Sequence, residues 1–146
     1  MIRDIDVHAL LRASSAAGYT DLVTRPTGRV VRESIEREMA AEASVAFVAR
    51  MDFSGVGCID YSCADEIVAK LNRAERVLVL LGLSDAHRDT IEPVLAGHGL
   101  AVLLEHPDGT LETLGSAAAA HELLDRLVTW RLAGQRPGGA FALLDA

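Results

Sequence analysis

Lysine is nearly missing from this 146-residue chain: Lys70 is the only one among 14 basic residues, and the others are arginines. Aromatic residues are scarce as well, at 4%, so a core has to be built mainly from Ala, Val, Leu and Ile. Positive charge is outnumbered, with 21 acidic residues giving a net charge of −7. General nucleic-acid binding needs a fold-wide basic footprint, and that footprint is absent. Two cysteines, Cys58 and Cys63, are too few for a disulfide framework or a thiolate zinc site. Apolar runs such as Val77-Leu78-Val79-Leu80-Leu81 fall far short of the ~20 residues that a membrane span requires. The opening Met-Ile-Arg-Asp-Ile-Asp puts acids where a signal peptide needs a basic and then an apolar stretch. A soluble, cytoplasmic protein is expected, with neither a membrane nor a nucleic acid as partner.

What is present suits a globular fold. Hydrophobic residues make up 50% and charged residues 24%, and the length fits one ordinary domain. Ile5, Ala9, Leu10 and Ala13 recur at helical spacing, which predicts a helix over 4–17 that stops at Gly18. Asp21-Leu22-Val23-Thr24 reads as a short strand ended by Pro26. Thr27 suits the N-cap of a helix running to about Glu42, with Glu33 four residues before Arg37. Ser44 to Met51 is too continuously apolar for a one-sided strand and predicts a buried parallel one, as do Val77–Leu81 and Leu100–Glu105. Between them lie a helix over about 62–72 and another capped by Ser84 or Asp85. Pro93 is expected to kink or shorten the second helix, and Gly97 to Gly99 to end it. Asp108-Gly109 signals a hairpin turn into an added strand, Thr110–Leu114, expected to be antiparallel. An amphipathic helix over 116–132 closes the pattern, and the Gly-rich remainder reads as a loose tail.

Alternation of this kind implies a single α/β layered domain with a mostly parallel sheet of about four to five strands. The expected organisation is an N-terminal helical extension over 1–18, the domain over 19–133 and a flexible tail over 134–146.

The most informative stretch is Met51-Asp-Phe-Ser-Gly-Val-Gly-Cys-Ile-Asp60-Tyr61-Ser62-Cys63-Ala-Asp65-Glu-Ile. A buried strand ends in Asp-Phe-Ser-Gly-Val, an apolar–Asp pair follows, and Ser62 opens a helix. This resembles the STAS domain of anti-sigma factor antagonists and sulfate-transporter tails, and its Ser-x-Ala-Asp-Glu ending is similar to a STAS-like group of bacterial proteins. The resemblance implies a STAS-like fold and a regulatory domain that acts by binding, with no enzyme activity and no cofactor. Its implied partner is an anti-sigma factor or a serine kinase of the histidine-kinase-like ATPase type. In the antagonists a kinase phosphorylates the second Ser of Asp-Ser-Ser-Gly, and Ser62 falls on that position. Tyr61 stands where those proteins have the first Ser, and Cys63 where they have Gly.

A helix N-terminus presents unpaired N–H groups, so a hydroxyl there takes a phosphate readily, and the added charge repels an acidic partner surface. The plainer alternative makes Ser62 only the N-cap of its helix. The expected partner surface comprises Ser54, Asp60, Tyr61 and Asp65, together with Arg25 and Arg29. Arg25, Arg29 and Arg32 gather as a local basic spot at a helix start, suited to an acidic partner face or a phosphate, or simply solvated. Cys63 near a helix start could be a reactive thiol or a small buried residue. The chain lacks the Gly-x-Ser-x-Gly of an α/β hydrolase. Asp60, Asp65 and Glu66 as a hard-metal site is opposed by the divergent directions of adjacent helix positions.

Overall fold

The computed structural model describes residues 1–14, 20–40 and 47–144. In chain order the elements are β1 (Ile2–Asp6), α1 (Val7–Ser14), α2 (Arg25–Met39), β2 (Phe47–Asp52) and α3 (Tyr61–Ala64). A π-helical turn, Asp65–Ala69, continues α3. Then come β3 (Arg76–Leu81), α4 (Asp85–His98), β4 (Ala101–Glu105), β5 (Leu111–Gly115), α5 (Ala117–Thr129), β6 (Ala133–Gln135) and β7 (Phe141–Leu143). The strands β1 to β5 form one sheet in sequential order, with β1 to β4 parallel and β5 antiparallel to β4. The fold is a single α/β domain with a mostly parallel sheet.

The apolar runs explain the centre. Phe47, Ala49, Met51, Leu78, Leu80, Val102 and Leu104 face α1 to α4, while Val48, Val77, Val79, Ala101 and Leu103 face α5 and the β6–β7 hairpin. With both faces covered, these strands bury almost every side chain, which is why their sequences do not alternate. Among the described residues no helix is long and apolar enough to cross a membrane.

Several sequence expectations are corrected. Ile2–Asp6 is an edge strand rather than part of a helical extension: it pairs in parallel with β2 and buries only Ile5, while Asp6 accepts the Ala9 N–H at 3.0 Å as α1 begins. Asp21–Thr24 contributes one bridge, Leu22 to Ile59, in place of a strand. The second long helix starts at Arg25, three residues before the expected point, because Pro26 fits a first turn, where no N–H is needed. Arg37 donates to the Ser34 hydroxyl at 3.0 Å. Pro93 sits on the solvent side of α4, and the helix passes through it to the left-handed Gly99. The tail expected to be loose contains β6 and β7, which pack Ala133 and Ala142 against the sheet. The expectations for Gly18, for Glu42 and for Ser44 to Ala46 lie outside the described residues.

Candidate protein-interaction site

The carboxyl ends of the parallel strands carry the loops that hold the motif. Beyond Asp52 the chain turns through Ser54 and Gly55 and runs beside residues 20–24. Leu22 N–H donates to the Cys58 carbonyl at 2.8 Å, Asp60 N–H to the Leu22 carbonyl at 2.9 Å, and Cys58 N–H to Asp21 Oδ1 at 2.8 Å. Two irregular segments are thereby zipped together just before α2 and α3 begin.

Asp60 is the knot of this junction. Its Oδ1 accepts the Cys63 N–H and the Ser62 hydroxyl, both at 2.8 Å, and its Oδ2 accepts the Thr24 N–H at 2.8 Å. The N-cap of α3 is therefore Asp60, which corrects the reading of Ser62 as the cap. Burial pushes the Asp60 carboxyl upward, but the donated N–H bonds from Cys63 and Thr24 outweigh it and hold it below the usual carboxylate range. Thr24 has φ 71, a left-handed conformation that a β-branched residue adopts only under strain. The Asp60 carboxylate and the Cys63 thiol, which donates to the Thr24 carbonyl at 3.1 Å, hold it there.

Close approach fixes the same place from the other side. A Cβ on Gly28 would lie 2.9 Å from the Cys63 Cα, so glycine is required where α2 crosses α3. Burial is the main cause that pushes the Cys63 thiol up to about 12, with Asp60 adding to it. A reactive thiolate is disfavoured there. Cys58 is exposed.

Asp65 and Glu66 join the neighbouring helices. Asp65 meets Arg25 at 2.8 Å and His98 at 2.9 Å, clasping the start of α2 to the end of α4. Glu66 is wholly covered, and four cations reach it: Lys70 at 3.0 Å, Arg32 at 3.2 Å, Arg25 at 3.4 Å and Arg29 at 3.8 Å. For both carboxyls burial acts upward and is outweighed by the basic partners, so both lie below the usual range. A pair of acids committed to arginine, lysine and histidine is no metal site, and among the described residues no cluster of three or more His, Cys, Asp or Glu could hold an ion.

Asp60, Tyr61, Ser62, Asp65, Arg25 and Arg29 thus belong to one neighbourhood at the α2–α3 junction. Ser54 lies apart from it on the loop after β2, where its N–H donates to Asp52 Oδ1 at 2.9 Å and its hydroxyl packs against Gly82. Sequence reasoning missed the role of Glu66. The available signal was its i,i+4 spacing to Lys70, combined with arginines at 25, 29 and 32 on one face of α2. It also missed His87, buried in the first turn of α4. The His87 Nδ1 accepts the Ser84 N–H at 3.1 Å while Ser84 Oγ accepts the His87 N–H at 3.1 Å. With Nδ1 as acceptor, the Nε2–H donates to the Gly57 carbonyl and ties α4 to the loop. Comparison with protein-family models, with curated proteins and with solved structures found no match.

Proposed function

We propose that this chain is a regulatory binding domain similar to the STAS-domain antagonists, and that phosphorylation of Ser62 governs its partner. The observation that carries the reading is the Ser62 hydroxyl seated on the Asp60 carboxylate, whose other oxygen holds the strained Thr24. A phosphate on Ser62 brings about two negative charges against Asp60. Repulsion there weakens the hold on Thr24, and the Thr24 backbone gains by leaving its left-handed conformation. Arg25 follows Thr24 directly and Arg29 lies one turn on, so the start of α2 moves with the switch. A partner seated on Tyr61 and the two arginines then senses the modification. The partner expected from the resemblance is an anti-sigma factor or a serine kinase of the histidine-kinase-like ATPase type.

The test is intact-mass analysis of the protein from its native host, with a phosphate-bearing fraction expected that disappears in Ser62→Ala. A captured partner should bind the phosphorylated form about tenfold more weakly, which requires about 1.4 kcal/mol. Unmodified protein under every growth condition, with partner binding still dependent on Tyr61, overturns the switch.

A second reading, a ligand-sensing domain, is favoured by one feature. A cleft of about 330 Å³ opens at the ends of β3 and β4, lined by Leu83, Asp85, Arg88, His106 and Pro107 among others. Ligands of α/β sheets commonly bind outside the carboxyl ends of strands. Here Glu112 holds both Arg88, at 2.7 Å, and His106, at 2.8 Å. A small molecule that shifts the melting temperature of wild type but not of Arg88→Ala would support this reading.

A further inference from the structure

The exposed charge around Glu66 is opposite in sign to the chain as a whole. Four cations converge on this carboxylate, yet it is 0% exposed, and its neighbour Asp65 is 13% exposed. The cations that cover them remain open to solvent: Arg25 at 39%, Lys70 at 47% and Arg29 at 54%. A protein of net charge −7 presents a basic strip here: Asp65 and Glu66 are turned inward, Glu36 is paired with Arg32 at 3.1 Å, and the exposed Glu33 one turn beyond Arg29 marks where the strip ends. The π-helical turn creates the arrangement by placing Asp65 and Glu66 beneath arginines from α2, and such turns recur at functional sites. At one end of the strip Tyr61 is 52% exposed, beside the last turn of α4. Arginine and tyrosine are the side chains that anchor protein interfaces.

We infer that this strip docks an acidic segment of a protein partner, with Arg29, Lys70 and Arg25 reading its carboxylates and Tyr61 packing against its backbone. Arg29 is the natural reader, because its Glu66 contact at 3.8 Å is the loosest of the four and leaves its donors available. Lys70 and Arg25 keep the fold intact through Glu66 and Asp65 while contributing field. The inference rests on the proposal that this end of the molecule binds a partner, and it specifies that partner's chemistry without requiring Ser62 to be modified.

Fluorescein-labelled octaglutamate, titrated with the full chain and followed by anisotropy, tests it. Saturable binding is expected, weakened at least about tenfold by Arg29→Glu and by raising salt from about 50 to about 300 mM. Arg131→Glu, on the turn after α5, should leave it unchanged. Because Lys70 is the only lysine, an acetylating ester reports on the strip directly. Lys70 acetylation, read by mass spectrometry against the N-terminal amine, should slow severalfold when the peptide is bound. Absent binding, equal loss in Arg131→Glu, or Lys70 labelling indifferent to peptide each overturns the inference. Phosphate on Ser62 with no peptide binding leaves the switch standing and removes the acidic partner. Peptide binding without any phosphate does the reverse.

Discussion

Two helices, α3 and α4, start after neighbouring parallel strands, and they are secured in different ways. At α4 the cap is reciprocal: Ser84 takes the His87 N–H, the His87 ring takes the Ser84 N–H, and the helix then runs fourteen residues. The groups that satisfy the helix end belong to the helix itself. At α3 a single carboxylate, Asp60, does this work and also holds Thr24 from another segment, and the α-helical turn gives way to π geometry after four residues. Local sequence closes the first junction, whereas the second depends on residues 36 positions apart. The locally capped start, tied to the loop through His87 and the Gly57 carbonyl, suits a scaffold. The shared one, with a hydroxyl on its carboxylate and a strained threonine behind it, suits a switch.

Removing the shared carboxylate should have the largest effect. Asp60→Ala deletes the α3 cap and the restraint on Thr24 together, and should destabilise by about 2–4 kcal/mol in urea unfolding. A loss no larger than that of Ser84→Ala, about 1 kcal/mol, would mean that the two junctions are equivalent. Next comes the helix crossing beside it. Gly28→Ala gains helix propensity but drives a methyl to 2.9 Å from the Cys63 backbone, so a net cost of about 1–2 kcal/mol is expected. Unchanged or raised stability would show that α2 and α3 separate easily.

Acid should reach the shared junction through Asp60, Asp65 and Glu66, whose folded pKa values are all lowered. The stability they contribute is fully present above the unfolded carboxylate range, about 3.9–4.3, and is lost as pH falls through their folded values. Urea midpoints should therefore drop below about pH 4, and Asp60→Asn should flatten that drop. An equally steep drop in Asp60→Asn would assign the acid sensitivity elsewhere.

The same contrast explains what the sequence revealed. β2, β3 and β4 were legible because strands buried on both faces need continuous apolar runs, and β5 because Asp108-Gly109 marks a hairpin. Ser84 was legible because its cap is local. β1 was hidden: an edge strand that buries Ile5 alone carries too little alternation to outweigh a helical reading of Ile5, Ala9 and Ala13. The β6–β7 hairpin was hidden because the glycines of its loop mimic a tail. At the candidate site the neighbourhood of Asp60, Ser62, Asp65 and Arg25 was legible. The division of labour within it was not, since nothing local says that Asp60 holds Thr24 or that Glu66 is covered by arginines from α2.

The smallest expected effect is the most discriminating. Ser62→Ala removes a hydroxyl that donates to Asp60 Oδ1, an oxygen that still accepts the Cys63 N–H at 2.8 Å. Its partner oxygen keeps Thr24 and water can reach the half-buried position, so the cap survives and the cost should sit at the low end of the hydrogen-bond range, about 0.5 kcal/mol. Ser84→Ala instead removes the cap oxygen itself and should cost about twice that or more. Ser62→Asp should be worse than Ser62→Ala, because a second carboxylate beside Asp60 repels it, whereas at a true N-cap position aspartate would replace serine without loss. Measured by urea unfolding at pH 7, the order Ser62→Ala, Ser84→Ala, Ser62→Asp, from least to most destabilised, would fit a Ser62 dispensable for the fold. A Ser62→Ala loss as large as that of Ser84→Ala would make the serine a structural cap after all. The hydroxyl would then be needed where it is, and its modification would unfold the helix start rather than switch it.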